Sequence, residues 1–361
     1  MKVLNLSLDN SVADKNSALA ARVVDYGNLV EKYAVVAPGR KEIAVELSEK
    51  VKVYISGGVG KTAQFFNIYR TGKRLLSQEK YDVITVQDQY YLALLGLWLA
   101  EKYHVSLEIQ VHGFEKCRGL RKLIARYVLP RANVIRCVGQ RLKRQLVNNF
   151  GVAEEKITVA PIFSELKSGN FGAKPESANN NFIFLTVGRL VPVKNTALAI
   201  SAMAEVVKKY LQAELWIVGD GPEDKNLKFK IENLKLVNSI KLLGQKSREE
   251  LENLYEIADV FLLTSDSEGW GLAAIEAASY GLPIIMTDVG CAGEVFKNNE
   301  SGVIIPVGDK SALVSAMETM LRDETWRQKI GEGARRAVQA LPSKQETLNL
   351  YLASWRQAVK I

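Results

Sequence analysis

Two glutamates eight positions apart, Glu268 and Glu276, stand out for chemistry in the stretch LLTSDSEGWGLAAIEAASYGLPIIMTDVGCAGE, Leu262 to Glu294. The run DVFLLTS reads as a strand ending at Asp266, Ser267 and Glu268. Gly269, Trp270 and Gly271 then free the backbone ahead of a helix expected to begin near Leu272. The N–H groups of a helix's first turn lack partners and its dipole is positive there, so a glycine-flanked helix start is an anion site. Carboxylates beside such a site suit sugar hydroxyls better than phosphate. At a rise of about 1.5 Å per residue the two glutamates lie at most about 12 Å apart, enough to grip different rings of one long ligand. Taken alone, the same pattern also fits a surface helix with two solvated glutamates.

A second constellation lies upstream. TVGRLVPVKN places Arg189 and Lys194 five residues apart in the loop after strand FIFLTVG, with Gly188 allowing a tight turn. A guanidinium fork and an ammonium point charge at that spacing can clamp a diphosphate, although basic loops of this kind are also common as plain surface. In LWIVGDGPED, Gly219 and Gly221 would let a ligand approach the backbone closely. VKVYISGGVGKTAQ, Val51 to Gln64, resembles a phosphate-cradling loop with Lys61 and Thr62, but the glycine that the full pattern needs five residues before Gly60 is Ile55. No nucleotide hydrolysis is expected there.

The elements that must position these residues alternate regularly. Seven β-branched runs, KVLNLS, YAVVAP, VKVYIS, DVITVQ, SLEIQVH, NVIRCVG and ITVAPI, are separated by segments of helical period. After a break rich in Gly, Pro, Ser and Asn, six more follow: FIFLTVG, LWIVGD, IKLLG, DVFLLTS, PIIMTD and GVIIPVG. This is the pattern of stacked βα units, and it predicts two doubly wound α/β domains in tandem. Ligands of such sheets bind at the carboxyl ends of the strands, which puts the expected site in the cleft between the halves. The final segment TLNLYLASWRQAVKI spaces Leu348, Tyr351, Leu352 and Trp355 as an amphipathic helix.

Composition narrows the classes. A chain of 361 residues with 47% hydrophobic residues has material for two cores. Cys117, Cys137 and Cys291 are odd in number and widely spaced, which predicts a reduced, intracellular protein without structural zinc. No secretion signal is read at MKVLNLSLDN. The longest apolar run, Tyr90 to Ala100, falls short of the roughly 30 Å of a bilayer and is read as a buried helix. A formal charge of +8 calls for an anionic partner or surface.

In order, GRLVPVK, VGDGP, LLGQ, E-G-W-G-L-A-A-I-E and DVGCAGE resemble the nucleotide-sugar domain of glycosyltransferase family 4, across nearly the whole second half of the chain. The resemblance implies the GT-B fold, two Rossmann-like domains facing a central cleft, and transfer with retention of anomeric configuration. It implies an N-terminal acceptor-side domain at 1–164, a linker at 165–181, a nucleotide-sugar domain at 182–344, and a helix at 345–361 packing back on the first domain. It assigns Arg189 and Lys194 to the donor diphosphate, Glu268 and the backbone from Gly269 to Leu272 to the sugar, Glu276 to the ribose, and Gln245 and Lys246 to the base. His112, ending the strand SLEIQVH, would contact the transferred sugar; without the family, a lone histidine there is more often structural. His104 reads as surface. No D-x-D is present, in keeping with the metal-independent chemistry of the fold, and no cofactor beyond the donor substrate is expected. One departure is clear: the family usually has glycines after its first strand, whereas SLDNSVADKNSALAARV has none, and Asp9, Asn10 and Ser11 occupy that loop.

From Lys116 to Arg144 there are ten Lys or Arg and no acidic residue. Leu120, Leu123, Ile124 and Tyr127 recur among them at helical spacing, which predicts an amphipathic helix on an anionic membrane surface as well as a plain solvated face. No nucleic-acid motif accompanies the charge. The expectation is a cytoplasmic, peripheral hexosyltransferase of cell-envelope glycan or glycolipid synthesis, with a nucleotide sugar as donor and a glycan or lipid-linked acceptor. The alternatives are a nucleotide-sugar epimerase or hydrolase of the same fold, and a P-loop nucleotide-binding protein.

Overall fold

The alternation of strand-like and helix-like segments is realised as two largely parallel sheets. The computed structural model describes residues 1–115, 117–163 and 181–360. The expected linker at 165–181 lies outside these residues except for Asn181, and so does Lys116 of the basic segment. The chain divides into unit 1, Met1–Pro161 with Pro342–Ile361, and unit 2, Ile162–Leu341.

Unit 1 contains strands β1 (Lys2–Leu6), β2 (Lys32–Ala37), β3 (Glu42–Ser48), β4 (Val51–Ser56), β5 (Val83–Val86), β6 (Ser106–Val111), β7 (Val134–Cys137) and β8 (Ile157–Val159). Helices α1 (Ala18–Asn28), α2 (Lys61–Gln78), α3 (Tyr91–Tyr103), α4 (Leu120–Val128) and α5 (Gln140–Phe150) connect them. The sheet order is β3-β4-β2-β1-β5-β6-β7-β8. Strands covered on both faces read as near-continuous apolar runs, as Val3, Leu4 and Leu6 do in β1. β3 is the exception and was not expected from the sequence, so VKVYIS is the fourth strand rather than the third. It pairs antiparallel with β4 at the sheet edge and is largely exposed. Its Glu42 and Glu46 blunt an edge that would otherwise recruit another chain, and Lys52 Nζ on β4 donates to Glu46 at 2.9 Å.

Unit 2 contains β9 (Phe182–Val187), β10 (Ala213–Val218), β11 (Ile240–Gly244), β12 (Val260–Leu263), β13 (Ile284–Thr287) and β14 (Val303–Ile305). Its helices are α6 (Thr196–Val206), α7 (Asp224–Asn233), α8 (Arg248–Ile257), α9 (Leu272–Ser279), α10 (Lys310–Arg322) and α11 (Glu324–Gln339). All six strands are parallel, in the order β11-β10-β9-β12-β13-β14. The order reverses direction between β9 and β12, and the crevice at such a reversal is where sheets of this kind hold ligands.

The last helix, α12 (Lys344–Lys360), packs on β6 and β7 of unit 1. Tyr351 and Trp355 are buried as its helical spacing implies, and so are the polar Thr347 and Ser354. Ser354 and Trp355 face Glu108 of β6, which is 0% exposed. That carboxylate accepts from Arg136 Nε at 3.0 Å, Trp355 Nε1 at 3.0 Å, and the hydroxyls of Thr85 and Ser354. The Arg136 guanidinium lies 3.6 Å from the Tyr351 ring centroid. Six residues from β5, β6, β7 and α12 are thereby tied together in the core.

This arrangement also corrects the expectation of one basic face from Lys116 to Arg144. Arg136 is on an interior strand and only 4% exposed, and Lys143 of α5 pairs with Glu154 at 2.8 Å. The outward-facing cations of the segment are those of α4 and its flanks, together with Arg144.

Candidate functional site

The reversal between β9 and β12 gathers the residues that the sequence singled out. Gly188 to Asn195 leave β9, and Thr264 to Gly271 leave β12. The two loops are stitched together: Asp266 N donates to Val193 O at 2.8 Å, Asn195 Nδ2 to Asp266 Oδ1 at 2.8 Å, and Thr264 Oγ1 to Asn195 O at 3.1 Å. From the far side, Thr287 Oγ1 of β13 donates to Ser265 O at 2.6 Å. Each bond satisfies a backbone or side-chain group that an irregular loop would leave open.

Lys194 and Glu268 meet directly. Lys194 Nζ lies 2.6 Å from Glu268 Oε1, and Ser265 Oγ donates to the same oxygen at 2.6 Å. The Glu268 side chain is only 7% exposed, so its charge is balanced by the lysine rather than by water. Arg189 is exposed and has no carboxylate partner among the described residues. A hollow of about 10 Å³ at the meeting point is lined by Thr186, Gly188, Arg189, Lys194, Thr264 and Ser265. It has room for one water, so a phosphoryl group would rest over these loops rather than within them.

Glu268 leads through Gly269 and the buried Trp270 to Gly271, the N-cap of α9, which has a left-handed backbone (φ 94°) and no side chain to cap the first turn. The N–H groups of Leu272 and Ala273 are thus presented without a competing cap, the arrangement that binds anions. Gly290 makes this possible from below: a Cβ there would stand 2.6 Å from Trp270 O and 2.9 Å from Glu268 Cβ. Glu276, in the second turn of α9, is half-buried and lies 3.5 Å from the Tyr255 hydroxyl. Desolvation, followed by the Glu276 charge, holds the Tyr255 phenol well above its usual range, so it is a neutral donor.

Other candidates lie elsewhere. Gln245 and Lys246 leave the edge strand β11, which β10 separates from β9. Lys246 Nζ donates to Glu250 Oε1 at 2.9 Å beside the capping box that opens α8. Gly219 does not open the backbone to a ligand: a Cβ there would be 1.8 Å from Gly188 O, so the glycine lets the β10 exit turn pack under the β9 loop. Ser265, Thr264 and Asn195 were not anticipated. Their only sequence signal is a run of small polar residues at the strand exits.

In unit 1, His112 follows β6 and is exposed, and His104 ends α3 in a left-handed surface turn. Desolvation, then the positive charges of Arg136 and Arg22, push the His112 imidazole down to about 4. The ring keeps access to solvent, so the two arginines are the firmer part of that push, and it is neutral at pH 7. The glycine-poor loop after β1 is a short turn capped by Asp9, which accepts from Ser11 N at 2.9 Å. After β4, the turn Gly57, Gly58, Gly60 is closed by its own neighbours. Gln64 Nε2 donates to Gly39 O and Gly58 O, Asn67 Nδ2 to Gly57 O, and Gly58 N to Arg40 O. Lys61→Ala should therefore leave nucleotide-sugar affinity within a few-fold in a binding titration; a larger loss would restore the phosphate-loop reading.

Residues 32–163 match the family model Glycosyltransferase Family 4, and residues 170–337 match Glycosyl transferases group 1. The N-acetyl-alpha-D-glucosaminyl L-malate synthase of Bacillus anthracis is 31% identical over 156 residues, 43% of this chain and 40% of that protein. The alpha-monoglucosyldiacylglycerol synthase of Streptococcus pneumoniae is 27% identical over 237 residues, 58% of this chain and 53% of that protein. The matched region is thus about half the length of these curated relatives or less. The crystal structure of HepE from Anabaena with UDP and glucose superposes with a TM-score of 0.76 at 19% identity, covering 98% of each chain. The superposition shows the GT-B fold, and with both family models matched in one chain the protein belongs to glycosyltransferase family 4.

Proposed function

We propose that the protein is a retaining glycosyltransferase that moves a hexosyl group from a nucleotide-diphosphate sugar to a glycan or lipid-linked acceptor in cell-envelope synthesis. The observation that carries this reading is the convergence of Arg189, Lys194, Glu268 and the uncapped start of α9 at the β9/β12 reversal. UDP and glucose in the HepE structure and the lipid product of the pneumococcal relative support a nucleotide-sugar donor and a membrane-presented acceptor.

In this scheme Arg189 and Lys194 bind the diphosphate, Glu268 and the backbone from Gly269 to Leu272 orient the sugar hydroxyls, and Glu276 holds the ribose. Gln245 and Lys246 flank the base. The bond from the anomeric carbon to the β-phosphate oxygen breaks, and positive charge on the sugar and negative charge on the leaving group grow together. Fixed cations beside that leaving group stabilise it where charge develops. The acceptor hydroxyl attacks from the same face and gives its proton to the departing phosphate, so no enzyme base is drawn, and no cofactor beyond the donor enters. His112 contacts the transferred sugar as a neutral hydrogen-bonding group.

Product analysis with a sugar-labelled donor tests the reading. Nucleoside diphosphate release should depend on acceptor, match labelled product one for one, and leave the anomeric configuration unchanged. Free sugar, an epimerised donor or an inverted product would overturn it. A second test follows from His112: with its pKa held below the ordinary histidine value of about 6.5, the acid limb of kcat/KM should not fall there. A limb at about 6.5 that disappears in His112→Gln would contradict the assignment.

A further inference from the structure

We infer that α4 and the adjoining outer face of α3 form a docking surface for anionic lipid, a deepening that rests on the membrane-presented acceptor proposed above. α4 is packed inside out. Its buried residues are Ala125 and Val128, while Leu120 and Leu123 are 61% and 62% exposed and Tyr127 is 46% exposed. Leu120, Leu123 and Tyr127 fall at i, i+3 and i+7, so they form one outward stripe. Water-facing leucines on a helix that buries alanine are a poor arrangement for a solvated surface and a good one for an interface.

The cations lie beside that stripe. Lys122 and Arg126 are exposed one turn apart, Arg118 precedes the helix and Arg131 follows it. None of these four pairs with a carboxylate among the described residues. Arg131 is instead fixed by its stack on Tyr127, 4.0 Å from the ring centroid. No acidic residue occurs between positions 116 and 144. A protein partner with an acidic surface would meet the charges but not the two leucines, whereas an anionic bilayer offers phosphate at the level of the cations and acyl chains beneath.

α3 extends the surface. Its inner face is buried through Leu92, Leu95 and Leu99, yet Tyr91 and Trp98, seven residues apart and so on one side, are 40% and 45% exposed. Arg121 of α4 reaches across to the rings of Tyr90 and Tyr91, at 5.9 and 6.0 Å, which ties the two helices together. Tyrosine and tryptophan favour the headgroup level of a bilayer. No helix among the described residues is long and apolar enough to cross a membrane, so the attachment is peripheral.

Sedimentation with vesicles tests the surface without donor or acceptor. The wild-type chain should bind phosphatidylglycerol vesicles at 0.1 M salt and leave them at 1 M, as the Debye length falls from about 10 Å to about 3 Å. Lys122→Gln with Arg126→Gln should weaken partitioning roughly 30-fold, about fivefold per cation. Leu123→Ser should weaken it with the charge unchanged, and Trp98 emission should shift to the blue on binding, judged against Trp98→Phe. Affinity for the sugar nucleotide that the wild type binds should be the same in all of these variants, which separates loss of the lipid surface from failure of the donor site. Equal binding to phosphatidylcholine vesicles would overturn the inference. So would no binding to phosphatidylglycerol, or a dimer in solution that Leu123→Ser dissociates.

Discussion

Arg189→Ala is expected to lower kcat by two to three orders of magnitude, roughly 3 to 4 kcal/mol of transition-state stabilisation. Arg189 has no carboxylate partner among the described residues, so its removal unbalances nothing in the resting protein, and its effect belongs to the ligand. Lys194→Ala should lose as much turnover for a compound reason. The variant removes a cation from the departing diphosphate, and it leaves Glu268, whose side chain is 7% exposed, with Ser265 but no counter-charge. Glu268 would then have to move, so donor affinity should fall along with kcat here as it does in Arg189→Ala. Steady-state kinetics on purified, folded protein decides: near-normal turnover in either variant would remove that residue from the diphosphate site.

The second large effect is on stability. Glu108→Ala should cost unit 1 about 3 to 5 kcal/mol, the range for stripping one partner from a buried ion pair, out of a total typically near 5 to 15 kcal/mol. The alanine orphans Arg136, at 4% exposure, along with Ser354 Oγ and Trp355 Nε1, and so loosens α12. Desolvation alone would raise the Glu108 pKa; the Arg136 charge and the hydrogen bonds from Arg136, Ser354 and Thr85 outweigh it and hold the carboxyl below the usual range. Its contribution is therefore present in full above the unfolded value of about 4.3 and is lost as pH falls through the lower folded value. Glu108→Gln should flatten that acid limb. Urea unfolding measures both effects, and a cost below about 1 kcal/mol for the alanine variant would show that Arg136 finds another partner.

The two doubly wound α/β domains were legible in the sequence because parallel strands covered on both faces carry near-continuous apolar runs, whereas GT-B followed from the family resemblance. β3 escaped because EIAVELS is an exposed edge whose residues answer to solvent and to Lys52 rather than to a core. The buried polar network was hidden for another reason. Glu108 and Arg136 are 28 residues apart, and Ser354 is 246 from Glu108; the register that sets Gln110 opposite Arg136 brings the first two together, and the packing of α12 on β6 and β7 brings the third. For the candidate site, residue types and loop positions could be read, but not pairings. Lys194 and Glu268, 74 residues apart, meet because the strand order reverses between β9 and β12, which is a property of topology rather than of either motif.

Equilibrium titration with UDP-, GDP- and ADP-glucose, run on the wild type, Arg189→Ala and Lys61→Ala, tests most directly whether unit 2 holds the donor. The wild type should bind the sugar nucleotide of one base, with a stabilisation of about 2.7 kcal/mol at 100 times Kd. That binding should persist in Lys61→Ala and drop sharply in Arg189→Ala. No binding of any sugar nucleotide by the wild type, or binding that survives in Arg189→Ala and is lost in Lys61→Ala, would contradict it.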